Sequence, residues 1–406
     1  MKVCQSRRSF LKATGATFAV PTFLQLPEVF AQESRPRLKI TDVQIVRHRM
    51  VKEIGTVEPA WSLGRTTTFN IGGGAFLEIH TDQGLVGLGP EFSPDLLSDV
   101  KEYLVGKDPF ETQQHFTNLL PLPQSIQYRG ITCVSIALWD LIGKACGQPL
   151  YKLWGGGKDR VPAYASMIIL STPEERADMA VQLAEEGWQA IKLRLHHESM
   201  KEDIRTVELV RKAIGDRMKI MVDPNQATVR EGYVQWDYDR ALQTARAIRE
   251  YDVYWLEEPL LRTDFEGLAR LNREADIPIA GAEGDRNLDD FALMMRNDVF
   301  DYINPEVLLL GVDNIRKVVA MAELFGVGAV PHNGNYRIGT IAHLHLIASW
   351  PNAPYIEVLH DPPIGAYQNH YAIFTNPPMI EKDGCQPVPQ GPGLGIEMNP
   401  DLIEKG

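Results

Sequence analysis

At 406 residues, 44% hydrophobic and 23% charged, the chain has room for two ordinary globular domains and carries no low-complexity tract. Its formal net charge of −12 excludes the basic footprint of a nucleic-acid-binding protein. Past the N-terminal leader, no stretch is apolar enough to span a bilayer.

Residues 6 to 12 read SRRSFLK, followed by an apolar stretch from Ala13 to Leu26 and a small-residue cleavage pattern at Val29, Phe30 and Ala31. Motif, position and flanks match a twin-arginine signal peptide over residues 1–31. A bacterial or archaeal protein delivered to the periplasm by the twin-arginine translocation machinery is expected, folded before it crosses. Removing the signal leaves 37 basic and 52 acidic residues, a net charge of −15. Of four cysteines, Cys4 lies in the signal; Cys133, Cys146 and Cys385 have no metal-ligand spacing and read as free thiols.

Residues 37–160 read as a separate α+β unit. Strands are expected at 39–50 and 75–90, the second turning at Thr81, Asp82, Gln83 and Gly84, with helices at 96–106, 109–120 and 134–147. Residues 53–70, rich in Gly and Thr and carrying Trp61, read as an irregular loop that could act as a lid.

Over residues 161–362 short apolar runs alternate with amphipathic helices. The runs are IKLRLHH (191–197), KIMVDPNQ (219–226), YWLEEP (254–259), IPIAGAEGD (277–285), YINPEV (302–307), AVPHN (329–333) and YIEVLHD (355–361). Ile204, Val207, Val210 and Ile214 fall three or four apart, and Gly215 follows where an αL cap would stop the helix. Segments 172–187, 238–252, 264–276, 287–298, 311–326 and 337–350 behave alike. The strands are continuously apolar, as when both faces of a parallel sheet are covered. The pattern predicts a (β/α)₈ barrel of TIM type, preceded by the α+β capping unit. The Pro- and Gly-rich tail, 363–406, is expected to wrap back on that first unit.

A barrel of this kind builds its site from the C-terminal ends of its strands. The polar residues there are Lys192 and Arg194, Asp223, Glu257, Glu283, Glu306, His332 and Glu357. From Asp223 onward they are spaced 34, 26, 23, 26 and 25 residues apart, about one strand–helix unit each. Asp223, Glu257 and Glu283 stand on three successive strand ends, and three carboxylates meeting there would repel one another unless a cation sits among them. Oxygen-only ligation with open positions suits one Mg²⁺. Glu258 is ambiguous, because neighbouring strand residues face opposite ways. The same alternation puts Lys192, Arg194 and His196 on one face, where they could accept a substrate carboxylate or simply neutralise the acids opposite. Glu306 and His332 end adjacent strands, the relation in which a carboxylate orients an imidazole. His343 and His345 lie inside a helix and read as structural or exposed. Asn225 and Trp61 are candidate substrate contacts.

These residues, together with TCVSIALWDLIGKACGQPLYKLWGGGKDRVPAYAS (132–166), resemble the enolase superfamily, in its mandelate racemase/muconate lactonizing enzyme family and mandelate racemase subgroup. The resemblance covers almost all of the mature chain. It implies that Asp223, Glu257 and Glu283 bind Mg²⁺, that Lys192 contacts the substrate carboxylate, that His332 with Glu306 is the acid/base dyad, and that Glu357 hydrogen-bonds the substrate. It implies specificity from capping-domain loops, here 53–70, and a homo-oligomer. Two departures stand out. A K-x-K strand is replaced by Lys192, Leu193, Arg194, and the usual dyad Asp by Glu306. Arginine, with a pKa above ~12, carries protons poorly, which argues against a two-base racemase. Cycloisomerase relatives carry Lys where Glu306 stands. The reading that results is an exported Mg²⁺-dependent lyase that dehydrates a sugar acid to a 2-keto acid. A racemase or epimerase of a carboxylate substrate is the alternative, and a non-catalytic binding protein on the same fold a second.

Overall fold

Alternation along each barrel strand decides which side chains look inward, and every second residue does. In the computed structural model, which describes residues 37–122, 128–230, 232–334 and 337–404, this alternation positions the candidate site. The twin-arginine segment, residues 1–31, lies outside the described residues.

In the N-terminal region, β1 (Ile40–Arg47), β4 (Ala75–Thr81) and β5 (Val86–Gly89) form an antiparallel sheet in the order β1-β4-β5. The helices α1 (Pro94–Leu104), α2 (Thr112–Leu119) and α3 (Ile131–Ala145) follow, then the short α4 (Leu150–Leu153). Helix α3 lies directly on β5: a Cβ at Gly87 would collide with the Ala137 carbonyl, so glycine is what lets helix and strand approach.

The expected irregular loop at 53–70 is different. β2 (Met50–Val57) pairs antiparallel with β3 (Thr67–Gly72) in a two-stranded ribbon, leaving 58–66 as its connection. Thr56 faces Thr68, their hydroxyls 3.1 Å apart, the kind of cross-strand pair that holds a ribbon in register. Most of β2 is exposed, so it lacks the apolar–polar alternation by which a strand is recognised in sequence. The connection reaches the barrel through Ala60 N–H to Ile168 O, 2.7 Å.

The barrel runs β6 (Arg160–Ser166), α5 (Pro173–Glu186), β7 (Ala190–Arg194), α6 (Met200–Ile214), β8 (Lys219–Asp223), α7 (Tyr238–Ile248), β9 (Val253–Glu257), α8 (Phe265–Glu274) and β10 (Ile279–Gly281). It continues with α9 (Leu288–Arg296), β11 (Tyr302–Ile303), α10 (Val307–Phe325), β12 (Gly328–Ala329), α11 (Ile338–Ser349) and β13 (Ile356–Leu359). Eight parallel strands line up as β12-β11-β10-β9-β8-β7-β6-β13. Between β12 and β13 the seam is carried by Ala329 N–H to Asn352 O, 3.0 Å, and by Asn333 Nδ2 to Glu357 O, 2.9 Å.

Two boundaries differ from expectation. Helix α10 begins at Val307, immediately after Glu306, and Gly311 at φ 70° interrupts it, which is why periodicity marks only its second part. Gly215 has φ 57° and ψ −135°, a positive-φ stop outside the αL well. The tail contributes α12 (Gln368–Tyr371) and β14 (Cys385–Pro387), which pairs antiparallel with β6. It also touches the N-terminal region, through Leu394 N–H to the buried Asp140 carboxylate at 2.7 Å and Glu404 N–H to Arg47 O at 2.9 Å. Cys133, Cys146 and Cys385 are free thiols, and among the described residues no helix is long and apolar enough to cross a membrane.

Candidate active site

The barrel interior holds a cluster of Tyr164, Ala190, Met221, Trp255, Ala280 and Val330. Two residues beyond five of these stand Ser166, Lys192, Asp223, Glu257 and His332, so each site residue points inward because the core residue beneath it does. Glu283 breaks the parity. Ala282 before it takes φ 78°, which re-aims the chain at that point.

On the β7–β9 side the basic residues are tied to the acids. Lys192 Nζ is 2.8 Å from Glu257 Oε1, 2.8 Å from Glu357 Oε1 and 3.6 Å from Asp223 Oδ2, and is fully buried. Arg194 pairs through Nη1 with Asp223 Oδ2, and also donates to Met167 O (2.9 Å), Ser166 Oγ (2.9 Å) and Asn225 Oδ1 (3.3 Å). Both cations are thus ion-paired with the acids opposite. His196 does not join them: β7 ends at Arg194, the alternation ends with it, and His196 instead lies against His197, ring centroids 4.2 Å apart and tilted by 39°, and meets the Ser171 N–H at 3.5 Å. Asn225 braces Asp223, giving its N–H to Oδ1 at 2.8 Å and Nδ2 to Oδ2 at 3.0 Å. The Trp61 ring lies 5.0 Å from the Arg194 guanidinium carbon, which places the ribbon connection over the site.

On the β11–β13 side, Glu306 and His332 meet as expected: Nδ1 is 3.2 Å from Oε2. The other nitrogen, Nε2, faces Glu283 Oε2 at 3.4 Å. Glu306 is also the N-cap of α10, its Oε1 accepting the Leu308 N–H at 3.0 Å. His343, read from sequence as structural or exposed, is fully buried with Nε2 3.4 Å from Glu306 Oε1 and 3.0 Å from the Val307 N–H. Glu306 therefore lies between two imidazoles. The available signal was a histidine in an otherwise apolar helix. Glu357 Oε2 accepts the Asn333 N–H at 2.8 Å.

The protonation states follow from burial and neighbours. Burial pushes Glu257 up to about 7, with Lys192 opposing and Asp223 adding repulsion. Burial also acts against the charged form of Glu357, but Lys192 and His332 outweigh it and hold it below the usual carboxylate range. Burial would lower His332, yet Glu283 and the hydrogen bond to Glu306 raise it to about 10, so it is an imidazolium in this arrangement. Glu258 sits at φ 45°, buried, with Arg262 Nη2 3.3 Å from Oε1 and with Oε2 unpartnered among the described residues. Burial, then Glu283 and Asp223, hold its carboxyl well above its ordinary value. Both members of the Glu257–Glu258 pair thus belong to the cluster, because the positive φ turns the second back toward it.

Asp223, Glu257 and Glu283 do end successive strands, as expected, and each is paired with a cation of the site; among the described residues no group of three side chains is already gathered as a metal site. Arg194 holds Asp223, Lys192 holds Glu257 and His332 holds Glu283. The donor set fits a divalent cation: it is made of hard carboxylate oxygens on successive strand ends, and Glu258 adds a buried oxygen with no partner among the described residues.

Comparison with known proteins gives the chain's family. Residues 53–155 match the family described as "Mandelate racemase / muconate lactonizing enzyme, N-terminal domain", and residues 175–402 match "Enolase C-terminal domain-like". The chain is 34% identical to 3,6-anhydro-alpha-L-galactonate cycloisomerase of Streptomyces coelicolor over 66% of this chain and 69% of that one. It is 31% identical to L-talarate/galactarate dehydratase of Salmonella typhimurium, over 69% and 71% of the two chains. The crystal structure of D-glucarate dehydratase from Agrobacterium tumefaciens complexed with magnesium superposes with a TM-score of 0.78 at 25% identity, covering 90% of this chain and 99% of that one. Cycloisomerases stand beside dehydratases among these relatives. The chain belongs to the mandelate racemase/muconate lactonizing enzyme family of the enolase superfamily, an enzyme family.

Proposed function

We propose that this protein dehydrates a sugar acid, removing the proton next to its carboxylate and then the β-hydroxyl to give a 2-keto-3-deoxy acid. The observation that carries the reading is His332, fixed at Nδ1 by Glu306 and presenting Nε2 at the lip of the carboxylate cluster. Dehydratases of sugar acids among the relatives support it.

Asp223, Glu257 and Glu283 would hold one Mg²⁺, whose charge makes the C–H beside a bound carboxylate more acidic. Lys192 would add an ammonium beneath that carboxylate once one of its ion pairs yields. His332 as placed is a proton donor, suited to deliver a proton to the departing hydroxyl. It becomes a base when Glu283 is engaged elsewhere and no longer holds its proton. Glu357, anchored by Asn333, orients the substrate. Arg194, with four partners around its guanidinium, positions Asp223 and Asn225 and stabilises charge rather than carrying protons.

That immobilised Arg194 disfavours the racemase or epimerase reading, which needs a second base opposite His332. The test is a panel of sugar acids with Mg²⁺, reading 2-keto acid release and α-hydrogen exchange in D₂O. Exchange from one stereoisomer with keto-acid release is expected. Exchange from both, with interconversion and no keto acid, would mean an epimerase, and binding without exchange a non-catalytic protein.

The proposal extends to an exported homo-oligomer with a capping domain at 37–160, a barrel at 161–362 and a tail at 363–406. SRRSFLK supports export: replacing Arg7 and Arg8 by Lys should trap the protein in the cytoplasm, and normal periplasmic yield would refute the route.

A further inference from the structure

Glu306 stands at the start of α10, and the turn that follows it is cut off from the rest of the helix. Gly311, at φ 70°, breaks the helix after Leu310, so residues 307–310 form a turn of their own. Within it the Leu309 and Leu310 N–H groups both reach the Glu306 carbonyl at 3.0 Å. The Leu308 N–H goes to the Glu306 carboxylate and the Val307 N–H to His343. Four residues are too few to hold a helical turn by themselves, because a single turn fixes several dihedrals for few hydrogen bonds. Support from outside must fix where the turn points, and with it the Glu306 side chain.

That support comes from α3 of the N-terminal region. Thr132 Oγ1 donates to Leu308 O at 2.7 Å, and Ser135 Oγ accepts the Val312 N–H at 3.1 Å. The two hydroxyls thus take one backbone group on each side of the Gly311 break. Three residues apart, they share one face of α3, and both are buried. Ser135 gives its own proton toward Asp313 Oδ2 at 3.4 Å; Trp139 Nε1 meets the same oxygen at 3.4 Å, and Thr112 donates to Oδ1 at 3.1 Å. Gly311 lets the helices come this close, since a Cβ there would lie 2.9 Å from the Phe116 ring of α2.

A buried carbonyl and a buried N–H have no water to fall back on. Each hydroxyl lost leaves a backbone group unpaired unless the turn moves. Moving the turn moves Glu306, whose Oε2 lies 3.2 Å from His332 Nδ1. A shift of about 0.5 Å takes that contact beyond hydrogen-bond reach. We infer that Thr132 and Ser135 are positioning residues for the proton-transfer step: through α3, the N-terminal region sets where the Glu306 carboxylate meets His332. The inference rests on the reading of Glu306 and His332 as the acid/base dyad.

The test is the Thr132→Val, Ser135→Ala double variant, full-length and loaded with Mg²⁺, on the acid that the wild type turns over. kcat should fall roughly 10- to 100-fold, as for a misplaced catalytic group, while KM stays within about threefold. Thr132→Val alone should lose part of this, and Thr132→Ser, which keeps the hydroxyl, should hold kcat within about threefold of wild type. Tyr151→Phe is the control for plain destabilisation. It deletes a hydrogen bond of 2.8 Å to Gln390 Oε1, away from the site, and should lower the melting temperature with kcat unchanged. Crystals of the double variant read position without turnover: Glu306 Oε2 should stand beyond about 3.5 Å from His332 Nδ1. A double variant with wild-type kcat, a Thr132→Ser variant as impaired as Thr132→Val, or an intact Glu306–His332 pair in the crystals would each overturn the inference. Should the double variant not fold, Ser135→Ala alone should lower kcat roughly 3- to 10-fold with KM unchanged, and no loss there overturns it equally. If the wild type neither releases keto acid nor exchanges the α-hydrogen of any acid, the dehydratase reading falls, and the crystallographic separation alone decides this inference.

Discussion

The two sides of the barrel mouth use the same inward positions and hold charge in opposite ways. On the β7–β9 side, Lys192 and Arg194 are buried and paired: Lys192 lies 2.8 Å from both Glu257 and Glu357, and Arg194 reaches Asp223, Asn225, the Ser166 hydroxyl and the Met167 carbonyl. On the β11–β13 side, Glu306 accepts from the Leu308 N–H and from His332 Nδ1, and His332, its side chain 15% exposed, turns its other nitrogen toward Glu283 at 3.4 Å. A buried ion cluster sets shape, because moving any member strands another in low dielectric. A partly exposed histidine held at one nitrogen by a carboxylate can gain and lose a proton at the other.

The contrast predicts that the first side is sensitive in stability and the second in rate. Lys192→Met should have the largest structural effect, since it leaves Glu257 and Glu357 buried without their cation. Unfolding in denaturant should be easier by about 3–5 kcal/mol, with much of that recovered by adding Glu257→Gln. An unchanged midpoint in Lys192→Met would break the comparison. His332→Asn should melt close to the wild type yet lose turnover by ~10² to 10⁴. A large loss of stability with little loss of rate would reverse the roles of the two sides.

His343 sharpens the second half of the comparison. His343→Gln can still accept from the Val307 N–H and should lose less than about tenfold in kcat, whereas His343→Phe, which leaves the Val307 N–H beside Glu306 without its partner, should lose more. Equal effects would mean that His343 only fills space.

The smallest effect concerns His345, on the same helix but away from the site. It gives Nε2–H to Leu394 O at 3.0 Å and takes the Tyr151 N–H on Nδ1 at 3.4 Å, and burial lowers its pKa to about 4. A histidine lowered in the folded state contributes stability that is present above its unfolded pKa of about 6.5 and is lost as pH falls toward 4. His345→Gln should remove on the order of 1–3 kcal/mol of that slope, read from denaturant unfolding between pH 7 and pH 4. A slope identical to wild type would show that its protonation is not linked to folding.

The barrel was legible because its strands are short, apolar and capped by polar residues at near-constant spacing, and because Gly187 and Gly326 stop their helices in the αL conformation. Glu306 and His332 followed from adjacent strand ends. What the sequence hid has physical causes. β2 is exposed and carries no alternation, so the ribbon looked like a loop. His196 could not be placed without knowing where β7 stops. Glu258 was ambiguous by alternation because a positive φ, invisible in sequence, returns it to the cluster. His343 reaches Glu306 from a helix, and strand-end logic cannot see across that distance.

Glu357 has a consequence beyond ligand binding. Its carboxylate and its own carbonyl both take hydrogen bonds from Asn333, at 2.8 Å and 2.9 Å, across the seam where β12 and β13 share no ladder. Its other oxygen reaches Lys192. The clasp that shuts the cylinder is therefore made of the same atoms that shape the pocket. Tailoring this position for a new substrate would also loosen the wall, and selection for activity at residue 357 is at the same time selection for a closed barrel.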